Sequence, residues 1–279
     1  MAGKIIVDDL FEDIDFTQDP AYVFGCNDES PYGASNYSTF EDSFRILTQD
    51  ELRTEAERSA EEGGLEQLVT RVFDQRREGS CVSQACGQAA QLVQATQFGK
   101  DHVVQLSAMS LYKQIGRSAR SGATVSSGLR KLSEIGMLPL DTAKNRERYG
   151  SQVMENIGFD NKYPAGWKET AKHFQALEYS VLRSVDGILT ALTRRQPVVV
   201  GRQGHSICYT TPIWSKNQWK ILYANSWGER WGQAAGDFRG GFGIDTISQI
   251  RKSAGWAFTV RAVRGRSECP KKRDETGQR

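Results

Sequence analysis

Three side chains in this sequence are of the types that together transfer an acyl group. Cys81 stands in Gly79-Ser80-Cys81, where a glycine-containing loop turns into a run of small and apolar residues at helical spacing. A thiol in the first turn of a helix meets unpaired backbone N–H groups and the positive end of the helix dipole. The dipole alone is worth about 0.3–1 kcal/mol, and both favour the thiolate. A thiolate nucleophile needs a base and a group to orient it. His205, in Gly204-His205-Ser206-Ile207 at the start of a β-type run, is one candidate base. Asn225, in Tyr223-Ala224-Asn225-Ser226-Trp227-Gly228, would close a Cys/His/Asn set. The remaining cysteines read as bland. Cys86 falls on an apolar helical stripe and Cys208 inside a β run, where thiols pack as small hydrophobes, while Cys26 and Cys269 lie in polar ends and read as exposed and inert. His102 and His173 stand in ordinary surface contexts.

The elements that must position this set follow from hydrophobic period. Val82, Ala85, Cys86, Ala89 and Val93 recur at i, i+3, i+4 and i+7, which predicts a buried helix over Cys81–Gln97. Further helices are expected over Ser107–Gly116, Ser126–Gly136 and Val185–Arg195, the last capped by Ser184. A charged surface helix is expected over Asp50–Glu62, with Asp50 as its cap and Gly63-Gly64 as its stop. After Gln196 the texture changes to β-type runs at 197–202, 205–214, 219–224, 241–244 and 256–263, with Asn217 as the turn between the second and third. Helices first and strands afterwards imply an α+β fold with segregated halves.

Composition narrows the classes. The chain has 279 residues, 38% hydrophobic and 10% aromatic, which is enough to build a core. No apolar run approaches the roughly 20 residues that cross a bilayer, so no membrane association is expected. The N-terminal apolar run meets acids at once, unlike a secretory signal, so an intracellular chain is expected. Five scattered cysteines do not suggest a disulfide framework, and no Cys/His spacing suits zinc or any other metal. No phosphate-binding glycine loop occurs, and no cofactor is implied.

In Gln75-Arg76-Arg77-Glu78-Gly79-Ser80-Cys81, Gly204-His205 and Asn225-Ser226-Trp227-Gly228 followed by Trp231-Gly232, the sequence resembles the papain-like cysteine peptidases of the C1 family. His205 follows Cys81 by 124 residues and Asn225 by 144, near the roughly 130–150 usual in such enzymes. The resemblance implies a two-lobed fold, a helical lobe followed by an antiparallel, β-barrel-like lobe, with the active-site cleft between them. It implies Cys81 as nucleophile, His205 as proton carrier, Asn225 as the residue holding the imidazole, and Trp227 as a shield over that contact. Gln75 would donate to the oxyanion beside the Cys81 N–H, and Gly79 and Ser80 would line the substrate backbone. Three departures stand out: Glu78 where many secreted members have a cysteine, Val82 where an aromatic is usual, and an insert between Gly232 and Gly241.

The expected activity is therefore hydrolysis of a polypeptide substrate through a thioester, by an endopeptidase. Isopeptide or amide cleavage would use the same residues. The alternative from another class is a catalytically silent papain-fold structural or binding protein, for instance part of a phage particle. Charge bears on partners. Residues 1–64 hold 16 acids and four bases (Lys4, Arg45, Arg53, Arg58), a net −12 that leaves +14 for the remainder. We read 1–64 as an acidic extension, a prosegment or anchor covering the cleft or the basic surface. Residues 65–263 form the peptidase domain and 264–279 a basic flexible tail. The basic surplus is scattered and carries no aromatic-basic motif, so nucleic acid is not an expected partner.

Overall fold

A computed structural model of the protein describes residues 24–28, 37–202, 204–254 and 256–264. Its organising element is helix α3, Cys81–Phe98, whose residues from Cys81 to Ala95 are all buried. An 18-residue helix without a charge can run through the interior only if its polar side chains find partners there. Gln84, Gln91 and Gln94 do so. The Gln91 and Gln94 side-chain carbonyls accept the backbone N–H groups of Leu106 and Val104 at 2.7 and 3.0 Å, and Gln84 donates to the Ser80 hydroxyl at 3.0 Å. Small residues let neighbours come close. A Cβ on Gly128 would lie 2.8 Å from Val82 and 3.1 Å from the Cys86 sulfur, so α5 (Val125–Glu134) rests directly on α3.

The other helices are α1 (Phe40–Ser43), α2 (Gln49–Glu62), α4 (Ala108–Ile115), α6 (Ala143–Tyr149), α7 (Trp167–Ala171), α8 (Val185–Thr193) and α9 (Ile247–Ser253). Those expected from sequence are present: α3 and α8 start at Cys81 and Val185 as expected, and α2, α4 and α5 start one residue away from their expected starts. Ser107, Thr124 and Ser184 cap α4, α5 and α8. The cap of α2 is Thr48 rather than Asp50: its side chain accepts from Glu51 N while Glu51 returns a bond to Thr48 N, a reciprocal capping box that Asp50 has no Glu or Gln placed to make.

One seven-stranded sheet, antiparallel throughout, holds β1 (Ala176–Leu182), β2 (Val198–Arg202), β3 (His205–Ser215), β4 (Gln218–Ala224), β5 (Gln233–Ala235), β6 (Phe238–Thr246) and β7 (Ala257–Val263). Their order is β1-β7-β2-β3-β4-β6-β5. The architecture is the expected α+β, with one correction: the sheet is open, not barrel-like. Its edges β1 and β5 do not pair with each other, and β1 is met instead by residues 38–39, where Val181 N donates to Ser38 O at 3.0 Å. Strand β1, which precedes α8, was not expected; its pairing with β7 and its bridge to residues 38–39 hold this partly exposed stretch as a strand. The β3–β4 turn lies at Lys216-Asn217, with φ of 50° and 61°, the left-handed pair that a two-residue hairpin requires. The insert after Gly232 forms β5 and the start of β6.

Residues 37–64 belong to this packing. Phe40 and Leu52 are fully buried in the main core and Ala56 nearly so. Glu41 caps α8 from outside, accepting from Arg183 N, Ser184 N and the Ser184 hydroxyl at 2.9–3.0 Å. The ion pairs of Arg45, Arg53 and Arg58 among the described residues all stay inside this segment, with Glu51, Asp50, Glu55 and Glu62. Apolar burial and hydrogen bonds, several of them to charged groups, therefore attach the described part of this segment to the body: besides the Glu41 contacts, Arg194 and Arg195 donate to Arg45 O and Gly63 O at 2.9 and 2.8 Å. Cys269, the tail beyond Arg264, and residues 1–23 and 29–36 lie outside the described residues.

Candidate active site

The seven residues singled out from sequence come from three places. The loop before α3 supplies Gln75, Gly79 and Ser80, and the first position of α3 supplies Cys81. The first residue of β3 supplies His205, and the loop after β4 supplies Asn225 and Trp227. A short antiparallel pairing joins these places: Gln75 N donates to Ser226 O at 2.8 Å, Gly228 N to Phe73 O at 3.0 Å, and Asp74 is bridged to Trp227. The helical and strand-rich halves are thus registered to each other at the site itself.

His205 Nε2 lies 2.7 Å from Asn225 Oδ1. The same oxygen accepts the Ser226 backbone N–H at 2.8 Å, and a backbone N–H can only donate. The Asn225 amide must therefore present its oxygen here, and Nε2 must carry the hydrogen. Nδ1, buried and without a partner among the described residues, is left as the basic nitrogen. Trp227 stacks on the imidazole, with centroids 4.5 Å apart and planes 27° apart, covering the His205–Asn225 contact. At the end of β2, Arg202 pairs in register with His205, and its guanidinium is fixed by Asp245, which also accepts from Tyr209 Oη at 2.6 Å.

Gln75 is oriented at both ends of its amide. Its Oε1 accepts from the Ser226 hydroxyl at 2.6 Å and its Nε2 donates to Glu78 O at 2.8 Å. Ser80 differs from expectation. Its hydroxyl turns inward to Gln84 and its carbonyl accepts from Gln84 N and the Ser83 hydroxyl at 3.0 and 2.8 Å, so its side chain faces the helix rather than a substrate. Ser226 and Glu78 were not singled out as site residues, although Ser226 lies within the Asn-Ser-Trp-Gly motif.

The leader enters the site. Gly25 O accepts from Ala123 N at 2.9 Å, Asn27 N donates to Ala123 O at 2.8 Å, and Cys26 N donates to Gly204 O at 2.7 Å. Phe24 lies edge-on to His205 and Trp227, at 6.2 and 6.3 Å. Gly25 passes so near that a Cβ on it would lie 2.1 Å from the Gly79 carbonyl oxygen. Cys26 is thus a half-buried cleft residue facing Gly201, Val125 and Trp256 around a cavity of about 350 Å³, not the exposed thiol expected from its polar context. Asparagine and tyrosine neighbours mark a segment as polar; they carry no signal of the groove into which it packs.

This cover inverts the expected electrostatics. Burial pushes the Cys81 thiol up to about 12, against the partial offset of the Ser206, Gly25, Val82 and Cys81 N–H groups. Burial also holds His205 down to about 4; the Asn225 hydrogen bond works against this and the Arg202 charge adds to it. Under the leader, thiol and imidazole are both neutral. On one side of the site an open cavity of about 1040 Å³ extends between Asp74–Glu78, Ile157-Gly158 and Trp227–Arg230. Among the described residues, no three His, Cys, Asp or Glu side chains are grouped to hold a metal ion.

No family model matches the chain, and no curated protein is similar to it in sequence. Solved structures are similar in fold. Xylellain, a cysteine protease from Xylella fastidiosa, matches 88% of this chain and 97% of its own with a TM-score of 0.59 at 15% identity. Procathepsin B S9 from Trypanosoma congolense matches 87% of each chain with a TM-score of 0.57 at 11% identity. Digestive procathepsin L 3 of the Tenebrio molitor larval midgut matches 70% of this chain and 66% of its own, with a TM-score of 0.54 at 16% identity. The fold is that of the papain-like cysteine proteases.

Proposed function

We propose that the chain is a papain-like cysteine endopeptidase whose leader blocks its cleft. The observation that carries this reading is the His205–Asn225–Ser226 arrangement, which leaves Nδ1 as the basic nitrogen of the imidazole, in a chain whose candidate nucleophile Cys81 opens α3. Once the cleft is open, His205 Nδ1 takes the Cys81 proton and the thiolate adds to the scissile carbonyl. The oxyanion receives the Cys81 N–H and the second Nε2 hydrogen of Gln75. His205 then passes its proton to the leaving nitrogen as the C–N bond breaks, leaving a thioester. Water, deprotonated by His205, hydrolyses the thioester and restores the thiol.

The leader's direction supports a blocking role. His205 must reach the leaving nitrogen, so the part of a substrate C-terminal to the scissile bond leaves past His205 and Trp227. In the leader that place is taken by Phe24, N-terminal to Gly25. The leader therefore runs backwards through the cleft and presents no bond for cleavage. Two of the similar structures are described as procathepsins, that is, proforms.

Burial of Cys81 favours a second reading, a silent papain-fold binding protein. Gly25→Val separates the two, because a side chain there displaces the leader while leaving every proposed catalytic group in place. The full-length Gly25→Val chain is expected to hydrolyse a casein or peptide-library substrate at least about 10-fold faster than wild type, and Gly25→Val/Cys81→Ala not at all. No hydrolysis by Gly25→Val, with its fold intact by circular dichroism, would leave the silent scaffold as the better reading.

A further inference from the structure

We propose that Glu78 is a positioning residue for the oxyanion donor Gln75, acting by suspending the nucleophile loop from the 155–161 loop; the proposal rests on the peptidase reading above. Gln75 leans on its own loop. Its Nε2 donates to Glu78 O at 2.8 Å, and Glu78 N donates back to Gln75 O at 3.1 Å, so residues 75–78 form a closed turn. Arg76, within that turn, has a left-handed φ of 49°, and Asp74 Oδ1 holds its N–H at 2.9 Å. An amide that donates to a carbonyl is placed only as well as that carbonyl is. In this turn the carbonyl belongs to the residue whose side chain reaches out of the loop.

Glu78 Oε1 accepts both Gly158 N and Phe159 N at 3.0 Å. Bonds from backbone N–H groups to a carboxylate are roughly twice as strong as neutral ones, and two consecutive N–H groups form the concave cradle that suits an anion. Gly158 makes the cradle possible: its φ is +95°, and a Cβ there would lie 2.5 Å from Asn161 Nδ2.

The far side of the clamp is held firmly. Lys113 Nζ donates to Phe159 O, and the Phe159 ring packs edge-on against Tyr112 at 5.5 Å. Asn156 donates to Gln84 Oε1 at 2.9 Å and accepts Ala108 N at 3.0 Å, tying the same loop to α3 and α4. Glu78 thus links a braced platform to the carbonyl on which Gln75 rests, while its own carboxylate stays out of the reaction. The bonds span 80 and 81 residues.

The test uses the full-length Gly25→Val chain as parent, with a fluorogenic peptide for turnover and iodoacetamide for thiol reactivity. Alkylation needs the Cys81 thiolate but develops no oxyanion. Glu78→Ala is expected to lower kcat about 10- to 100-fold with KM within about 3-fold, while the rate of Cys81 alkylation stays within about 2-fold. Glu78→Gln, which keeps an accepting oxygen at the same reach, is expected to restore kcat to within about 5-fold of the parent. Glu78→Asp, charged but too short, is expected to behave like Ala and serves in its place should Ala fail to fold. Unchanged kcat in Ala and Asp, alkylation falling in step with kcat, or a Gln variant no better than Ala would each overturn the proposal. A parent that alkylates at Cys81 but hydrolyses no peptide would fail the peptidase reading itself, and this proposal with it.

Discussion

A single backbone N–H, that of Ser226, decides which nitrogen of His205 is basic, because it forces the Asn225 amide to present oxygen. Removing that amide lets the imidazole rotate and change tautomer. In an open-cleft background, Asn225→Ala is therefore expected to cost about 10²- to 10⁴-fold in kcat/KM, the range of a general base. Gln75→Ala should cost about 10²- to 10³-fold in kcat with little change in KM, since its donor matters only once the oxyanion forms. Steady-state kinetics on one peptide separates the two. The side chains that would do the chemistry were legible in the sequence because their types and local contexts are distinctive: a thiol at a helix start, a histidine opening a strand, an asparagine before Ser-Trp-Gly. Their supports were not. Ser226 reaches Gln75 across 151 residues and Glu78 reaches Gly158 across 80, and hydrogen bonds of that separation leave no local spacing to read.

At the scale of elements, the hydrophobic period located α3, α4, α5 and α8, whose cores are apolar and whose starts carry Ser or Thr. The charged helix α2 lies where it is expected to within one residue and only its cap differs: several acids compete for that place, and pairing with Glu51 selects Thr48. Thr48→Ala is expected to lower stability by about 1 kcal/mol, read from the denaturant midpoint, without altering Cys81 alkylation in the open-cleft chain. Leu52→Ala, one turn further on and fully buried, should cost about 2–5 kcal/mol in the same assay. If the two variants lose equal stability, α2 is held by its cap rather than by its buried face. Strand β1 and the open edge of the sheet depend on pairing with β7 and with residues 38–39, contacts made far along the chain. Local alternation gives no sign of them, and the barrel-like lobe, which only the family resemblance implied, gives way to the open sheet that this pairing builds.

For the whole molecule, the charge split marked an acidic leader but not how it attaches. Residues 40–62 enter the common core, whereas 24–28 lie across the cleft as a covering segment. This cover should depend on pH. His205 is held down to about 4 in the covered site against an ordinary 6.5, so the uncovered state binds more protons in that window and the cover weakens as pH falls through it. The Cys81 thiol is pushed up to about 12 against an ordinary 9, so the uncovered state loses its proton first and the cover also weakens as pH rises above 9. Hydrogen exchange of the Cys26 amide, held by Gly204 O, should be slowest between about pH 6.5 and 9 after correction for intrinsic rates. Protection that does not change across pH 4–10 would show that neither group is coupled to the leader.

The measurement that reaches the central claim most directly is intact-mass detection of a peptidyl acyloxymethyl ketone adduct, a probe that needs both an attacking thiolate and its partner imidazole. The Gly25→Val chain is expected to gain one adduct, mapped to Cys81, at least about 10-fold faster than wild type, and to lose that labelling with His205→Ala. Labelling that is unchanged by His205→Ala, or that falls on another cysteine, would contradict a Cys81–His205 peptidase site beneath a covering leader.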